Sequence, residues 1–245
     1  SVWSIQEGQS YPYLQSAIPD TIPAATNFYA GGFGSESQPF QISTPDELSK
    51  LLEYPYAYFE LINDIDLDVA PYNSGTGWEP IGSTFDPFYG TMDGNDYTIS
   101  KLFINDSSTD YLGLFGVVSG KNEFRDINLD SVNITGRNYV AALIAEARGV
   151  NIKKVNASGS VTGQQYVGVA IGRTYSSASS LDSTTTSGSV TANSYAGGLI
   201  GGIQDTTSVS NSSSNASVQG STSGGLVGRT EHTKSTISNS FSTGI

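Results

Sequence analysis

The chain has 245 residues, and its 23 acidic against 11 basic side chains give a net charge of -12. We find no cluster of Lys and Arg, and because phosphate binding depends on such clusters, the charge balance argues against a nucleic-acid partner. The sequence contains no cysteine, which excludes disulfides, thiolate metal sites and cysteine nucleophiles. Its apolar stretches fall far short of the roughly 18 residues of a membrane span, so we expect no membrane insertion within this segment.

The first 30 residues lack a periodic pattern of apolar side chains. Pro12, Pro19 and Pro23 are spread through them, which is typical of an extended linker. We therefore predict a linker over residues 1–30 and one folded domain over residues 31–245.

A short helix is predicted at about residues 44–52. Thr44 is a typical N-cap residue, Pro45 suits the first helical position, and Glu47 completes a capping box. The apolar residues that would share one face of this helix are Leu48, Leu51 and Leu52. We expect the helix to cover the open end of an all-β array, where unpaired strand edges would otherwise promote aggregation.

Residues 58–68 alternate between apolar and polar side chains, which predicts one strand with a buried face. The predicted inward residues are Phe59, Leu61, Ile65 and Leu67, and the predicted outward residues are Glu60, Asp64, Asp66 and Asp68. A longer loop at about residues 69–80 and a turn at residues 93–97 follow, which indicates irregular coils before the repeats begin.

From residue 113 onward the sequence repeats with a period of about 28 residues. Five tetrads of the type small-apolar-apolar-small start 29, 27, 29 and 27 residues apart: Gly113–Gly116, Ala142–Ala145, Val169–Gly172, Gly198–Gly201 and Gly225–Gly228. Four tetrads are preceded by a tyrosine: Tyr111, Tyr139, Tyr166 and Tyr195. A second set recurs in phase at Val132–Gly136, Ser160–Gly163, Ser189–Ala192 and Ser217–Gly220. A third set consists of lone apolar residues: Ile127, Ile152, Leu181, Val209 and Ile237.

Each repeat therefore carries three short segments, and their Gly, Ser, Thr and β-branched residues favour strands and turns over helix. One coil cannot bury its apolar side chains alone, so successive coils must stack at about 4.8 Å. The predicted fold class is all-β, a parallel β-helix of three-strand coils with a short N-terminal capping helix. One feature fits poorly, because Leu199 and Ile200 are adjacent and strict alternation would point one of them outward.

The repeats carry a resemblance to a known family. Gly198-Leu-Ile-Gly201 and Gly225-Leu-Val-Gly228 resemble the GLUG repeat of large bacterial and archaeal cell-surface proteins. Five upstream stretches resemble the segment that precedes GLUG arrays: Gly31–Gly34, Pro39–Thr44, Phe59–Leu67, Pro80–Gly82 and Tyr89–Ile99. The resemblance covers roughly residues 31–245 and implies an extracellular stalk or adhesive surface without a catalytic centre of its own.

Residues 1–15 are similar to the sequence that ends a GLUG array, and the sequence stops at Phe241–Ile245 within a coil. We therefore expect a segment of a longer tandem protein. The alternative is a filament subunit that donates residues 1–15 to the open edge at residues 238–245 of another copy. The expected partners are other copies or neighbouring domains of the same protein, and cell-surface glycans.

Three aspartates on the outer side of the predicted 58–68 strand are weak candidates for a calcium site. Asp64, Asp66 and Asp68 follow at i, i+2 spacing, about 6.6–7 Å apart, whereas calcium takes six to eight oxygen ligands. We favour an acidic solvent face, and we expect no cofactor. The family resemblance also implies a structural role for one of these acids, such as bonding the backbone at a corner.

No residue is assigned a catalytic role. His232 is the only histidine in the sequence, and no metalloprotease motif surrounds it, so we interpret it as a solvated loop residue. Some β-helix enzymes act on acidic polysaccharides with carboxylates, lysines or arginines on the faces of the coils, so a polysaccharide-active enzyme stays open as an alternative.

Three further sets of residues recur without demanding a site. Candidate N-glycosylation triplets start at Asn105, Asn133, Asn156, Asn211 and Asn215, about as many as the abundance of Ser and Thr predicts by chance. The four repeated tyrosines predict a stacked aromatic column in preference to a sugar-binding platform. Arginines recur near the predicted corners at Arg137, Arg148, Arg173 and Arg229, and we interpret them as surface charges on an acidic rod. The sequence as a whole predicts a non-catalytic, extracellular structural or adhesive module.

Overall fold

The computed structural model describes residues 3–4, 13–14, 28–231 and 234–244, and it confirms the predicted fold class. The described chain forms a parallel β-solenoid in which three sheets run along the stack of turns. Helix is confined there to α1 (Pro45–Leu48) and one 3-10 turn at Leu51–Glu53.

The described strands are short and follow one another in rapid succession. In chain order they are β1 (Trp3–Ser4), β2 (Tyr13–Leu14), β3 (Phe40–Ile42), β4 (Tyr58–Leu61), β5 (Ile65–Asp66), β6 (Thr91–Asp93), β7 (Thr98–Ser100), β8 (Phe103–Asn105), β9 (Phe115–Ser119), β10 (Glu123–Thr135), β11 (Asn138–Val140), β12 (Ile144–Arg148), β13 (Asn151–Gly163), β14 (Gln165–Gly168), β15 (Ile171–Thr174), β16 (Ser179–Asp182), β17 (Thr185–Ala192), β18 (Tyr195–Gly197), β19 (Ile200–Ile203), β20 (Thr207–Ser210), β21 (Ser213–Ser214), β22 (Ser217–Gln219), β23 (Thr222–Gly224), β24 (Val227–Thr230), β25 (Thr236–Ser238) and β26 (Phe241–Ser242).

The three sheets of the solenoid differ in size. The largest has 15 strands, and its longest path runs β3-β4-β6-β10-β13-β16-β20-β25; the second has five strands in the order β9-β12-β15-β19-β24, and the third has four in the order β11-β14-β18-β23. Every pairing between described strands of these sheets is parallel.

The tetrads stack along the axis in the predicted register. Phe115, Ile144, Ile171, Ile200 and Val227, the second apolar residue of each tetrad, pair in that order across the five-stranded sheet. Leu199 and Ile200 are both fully buried. Leu199 lies before β19 begins, where the chain turns from one sheet to the next, so strict strand alternation does not apply to it.

The second repeated set also stacks as predicted, with Ile134, Val161, Val190 and Val218 in register. The third set needs a correction at its first member. Phe124 aligns with Ile152, and Ile127 aligns with Val155 instead. The sequence did not reveal this, because β10 and β13 are 13-residue strands that each pass through a corner and carry two candidate apolar positions.

The entry segment is more broken than its sequence predicts. The capping box forms, because the Glu47 amide donates to Thr44 Oγ1 at 3.2 Å and the Thr44 amide donates to a Glu47 carboxylate oxygen at 3.0 Å. The α-helix nevertheless ends at Leu48, short of the predicted residue 52. The predicted strand over residues 58–68 is likewise two strands, β4 and β5, separated by a corner at residues 62–64, although its four apolar residues are all buried.

One edge of the stack is covered by residues close to the predicted linker. Gly31 bridges Gln41 of β3 in antiparallel fashion, so the outer side of this first strand of the path is paired. Tyr29 stacks on Phe40 with ring centres 4.6 Å apart and donates a hydrogen bond to the Lys50 carbonyl at 2.8 Å. The domain boundary at residue 31 stays a prediction, but Tyr29 packs with the core.

Candidate functional site

The four repeated tyrosines form a column of stacked rings beside the five-stranded sheet. The ring centres of Tyr111 and Tyr139 lie 4.8 Å apart, those of Tyr139 and Tyr166 lie 5.4 Å apart, and those of Tyr166 and Tyr195 lie 4.8 Å apart. The first two pairs are nearly parallel, at 19° and 14°. This confirms the predicted stacked column, in which most ring faces contact another ring and are unavailable to a ligand.

Three of these tyrosines adopt a backbone conformation that bulky residues rarely use. Tyr111, Tyr139 and Tyr166 have φ angles of 62°, 58° and 56°. This conformation accompanies a close approach between turns: a Cβ atom added at Gly202, in the next turn, would lie 2.3 Å from Cδ1 of Tyr166. The ring of Tyr166 therefore packs against the next turn at Gly202, and the strain at Tyr166 is offset by that packing.

A buried carboxylate lies beneath the tyrosine column. Glu146 in β12 is fully buried, and no other charged residue in the described part of the chain is buried. Its carboxylate accepts from Nε of Arg148 at 2.6 Å and pairs with the guanidinium of Arg173 from the next turn. The side chains of Arg148 and Arg173 are 24% and 12% exposed. Our interpretation of these two arginines as surface charges is therefore wrong.

The sequence contained a signal for this ion pair that we did not use. Glu146 and Arg173 each follow the last residue of a tetrad, Ala145 and Gly172. Since the tetrads stack in register, the residues after them must pair between neighbouring turns, as Glu146 and Arg173 do.

Polar contacts continue from this ion pair toward the later turns. Arg173 donates to Gln204 at 2.8 Å, and Gln204 donates to the Tyr166 hydroxyl at 3.1 Å. The Tyr166 hydroxyl in turn donates to Glu231 at 3.1 Å, and Arg229 pairs with Glu231 at the same distance. Burial of the ring and then this hydrogen bond raise the pKa of Tyr166 to about 12.

The other two arginines of the set are also paired. Arg137 binds Asp110 through two nitrogens, at 2.7 and 2.8 Å. Partial burial raises the pKa of Asp110, but hydrogen bonds from Arg137 and Asn138 outweigh it, so the net pKa is lowered. Arg229 lies over the ring of Tyr195, 4.5 Å from its centre. No arginine of this set presents a free guanidinium for an anion.

The three aspartates proposed as calcium candidates are engaged elsewhere. Asp64 accepts from the amide of Thr98 at 2.8 Å, which is the structural role we expected for one of them. Asp66 and Asp68 pair with Lys101 at 2.9 and 3.5 Å. The hydrogen bond from the Asp68 amide and then that from Lys101 lower the pKa of Asp66. Within the described ranges, no group of three or more acidic or histidine side chains is arranged to hold a metal ion.

The remaining predicted positions lie on the surface or outside the described chain. His232 falls outside the described residues. The asparagines of the five candidate glycosylation triplets are all exposed: Asn105, Asn133, Asn156, Asn211 and Asn215. Asn156 donates to Asn128 at 2.9 Å and Asn211 donates to Asp182 at 2.8 Å, so a glycan at either residue would replace a contact between turns.

A groove of about 550 Å³ lies on the outer side of β4, β6 and the start of β10. Its charged lining residues are Glu36, Glu60, Asp93, Lys121, Glu123 and Arg125. Glu60 accepts from Gln41 at 3.1 Å and from Asn95 at 3.3 Å, while Arg125 binds both Asp93 and Glu123. The sequence did not identify this groove, because its walls come from turns that precede the regular repeats.

One family model matches the chain. The GLUG motif is found at residues 192–219, which run from the end of β17 through β22. The match therefore covers one full turn of the solenoid, including the tetrad at Gly198–Gly201.

Two relatives match about half of the chain. A proposed Gly-rich membrane protein of Evansella cellulosilytica is 35% identical over 132 residues, which is 52% of this chain and 15% of the relative. Halomucin of Haloquadratum walsbyi is 34% identical over 131 residues, which is 52% of this chain and 1% of halomucin. The chain thus spans a small part of either relative. In the described part of the chain, no helix is long and apolar enough to cross a membrane.

A solved structure has a similar fold. A proposed immunoglobulin A1 protease from Bacteroides ovatus superposes with a TM-score of 0.59 at 17% identity, covering 88% of this chain and 78% of that one. At this identity the likeness concerns the fold alone. The motif, the relatives and the stacked tetrads together identify the chain as a parallel β-solenoid that carries the GLUG motif.

Proposed function

We propose that the chain is an extracellular, non-catalytic module that gives a cell-surface protein reach and an adhesive surface. The observation that carries this proposal is that charged side chains of the repeats bind one another between neighbouring turns. Glu146, Arg173, Arg137 and Asp110 all bind partners in neighbouring turns, so they stabilise the stack. The names of the two relatives, a Gly-rich membrane protein and halomucin, support a location at the cell surface.

The groove on the early turns offers little for hydrolysis of a polysaccharide. Glycoside hydrolysis normally needs two carboxyl groups, one protonated as the acid and one free as base or nucleophile. Glu60 and Asp93 pair in register on neighbouring strands, but each accepts hydrogen bonds from side chains of the protein. The oxygens of both carboxylates are therefore taken up by contacts within the protein, and a substrate would have to displace those contacts.

The test combines an assay of turnover with an assay of binding. The purified chain is incubated with a panel of acidic and neutral polysaccharides, and new reducing ends or unsaturated products are measured. In parallel, its retention on whole cells and on the same polysaccharides is measured. We expect retention without product formation. Products that disappear in the variant Glu60→Gln, with the fold intact by circular dichroism, would establish the polysaccharide-active alternative.

A second candidate function is a self-assembling filament subunit. Ile237 continues the buried column of Leu181 and Val209 but is 50% exposed, and Phe241 is 62% exposed. Such an apolar end could accept a strand from another copy. Negative-stain microscopy of the chain with and without residues 1–15 tests this candidate. Fibres that require those residues would support it, and dispersed particles in both samples would contradict it.

A further inference from the structure

An uncharged surface runs across four turns of the largest sheet. We call it the polar face, and it consists of eight outward side chains in two columns: Asn133, Ser160, Ser189 and Ser217, and Thr135, Thr162, Thr191 and Gln219. Between the two columns lie Ile134, Val161, Val190 and Val218, which point inward, with the first three fully buried. Alternation along each strand therefore fixes all eight polar side chains on the outer side.

The polar face differs in charge from its surroundings. The outward column at the start of the same sheet reads Glu60, Asp93, Arg125, Lys153 and Asp182 in register. The polar face contains no ionisable side chain in any of its four turns, on a chain whose net charge is -12. Two copies of this acidic chain repel each other over most orientations, and this repulsion is smallest where the two polar faces meet.

We propose that the polar face is an interface between two copies of this chain, which associate side by side. Hydroxyl and amide groups both donate and accept hydrogen bonds, so this surface can pair with an identical surface. Carboxylates, by contrast, only accept. Ser189 already donates to Ser160 at 3.1 Å between neighbouring turns, which shows that groups of this face lie at hydrogen-bonding separations along the axis. A two-fold axis through the face would bring each column opposite its counterpart in the second copy.

The size of the face sets the strength of this association. Four turns about 4.8 Å apart and two outward columns about 6.8 Å apart give on the order of 260 Å² per copy. A standard stable interface buries about 800 Å² per partner. A single pair of chains should therefore associate weakly, and tandem copies on opposing surfaces would gain strength from the number of contacts.

The first experiment traps the contact with engineered cysteines. The chain has no cysteine, so Thr191→Cys introduces a unique thiol on the polar face. Ser208→Cys is the matched control, because Ser208 is an exposed strand residue of the same sheet outside the polar face. Under mild oxidation at high protein concentration, we expect about tenfold more disulfide-linked dimer from Thr191→Cys than from Ser208→Cys. Equal yields from the two variants would mean random collision and would overturn the proposal.

The second experiment tests whether the polar face of one copy contacts the polar face of the other. Thr191→Lys and Thr191→Glu each place like charges opposite one another across the two-fold axis, so sedimentation should detect about tenfold weaker self-association for either variant alone. A mixture of the two variants should associate at least as well as the unchanged chain, whereas Ser208→Lys should behave like the unchanged chain. Circular dichroism and thermal unfolding check that every variant is folded.

Two results would contradict this interface. One is unchanged association of both Thr191 variants, and the other is loss of association in the charged mixture. Retention of the unchanged chain on a polysaccharide, without self-association at any concentration, would assign the face to a glycan instead and would leave the proposed adhesive role standing. Side-by-side dimers are also distinct from the end-to-end fibres of the filament alternative.

Discussion

Arg173 binds the buried carboxylate of Glu146 and at the same time lies over the ring of Tyr139, 3.9 Å from its centre. One guanidinium thus joins the turn that contains Glu146 to the tyrosine column that covers it. The pair belongs to two neighbouring strands, β12 and β15, whose register brings these residues side by side. The ion pair and the cation–π contact therefore stabilise the same pairing of β12 with β15 that the backbone hydrogen bonds form.

Removal of the Glu146 charge should destabilise the solenoid strongly. Glu146→Gln leaves Arg148 and Arg173 without their shared partner in a site with little water, which should lower the free energy of unfolding by about 2–4 kcal/mol. Glu123→Gln is the control, because the ion pair of Glu123 with Arg125 is exposed and should contribute within about 0.5 kcal/mol. Urea unfolding measures both. Similar losses for the two variants would show that burial of Glu146 is not what matters.

The second glycine of a tetrad should be intolerant of a methyl group. A Cβ atom at Gly201 would lie 2.4 Å from the Val167 nitrogen and 2.5 Å from the Tyr166 carbonyl carbon, both backbone atoms. Gly201→Ala should therefore force the four-stranded and five-stranded sheets apart and cost about 1–3 kcal/mol. Gly220→Ala is the milder control, since its Cβ would meet the Ala196 methyl group at 3.0 Å and the backbone oxygens of Ser194 and Thr222 at 3.1 and 3.3 Å, which a shift of a few tenths of an ångström relieves. Faster hydrogen exchange at residues 166–168 in Gly201→Ala alone would locate the effect.

The tetrads and the Glu146–Arg173 pair illustrate which parts of the fold can be predicted from the sequence and which cannot. The tetrads could be placed in register because identical small and apolar residues recur at every turn, and burial acts equally on each copy. The Glu146–Arg173 pair was missed because each turn uses the position after the tetrad differently: Val117, Glu146, Arg173, Gly202 and Arg229. A position that varies gives no periodic signal, although the register of its neighbours determines its contacts.

The early turns were harder to predict from the sequence for a related reason. The 62–64 corner interrupts an alternating pattern without changing it, because Leu61 and Ile65 both remain buried on either side of the corner. The groove formed by these turns depends on how residues 36–39 approach β4 and β6, and this approach arises from tertiary packing. Apolar periodicity describes the inward side of a strand and carries no information about what covers its outward side.

Stability should fall in strongly alkaline solution through Tyr166. Its pKa is raised to about 12 from an ordinary value of 10.0, so between these values the unfolded chain loses a proton that the folded chain retains. Stability from this group is therefore complete below pH 10 and is lost as the pH rises toward 12. Melting temperatures of the unchanged chain and of Tyr166→Phe, compared from pH 9 upward, should converge as the pH rises. Parallel curves would contradict a raised pKa at this residue.

Calcium should leave the stability of the chain unchanged, because the three candidate aspartates already have partners. Asp64→Ala should cost about 1 kcal/mol through loss of its hydrogen bond to the Thr98 amide, with or without calcium. Thermal unfolding in millimolar calcium and in chelator measures both expectations. Lys101→Met is the informative companion variant, since it frees Asp66 and Asp68 from their ion pairs. If calcium raised the melting temperature of the unchanged chain by several degrees and not that of Asp64→Ala, these aspartates would be ligands after all, since a ligand that binds the folded state alone must stabilise it.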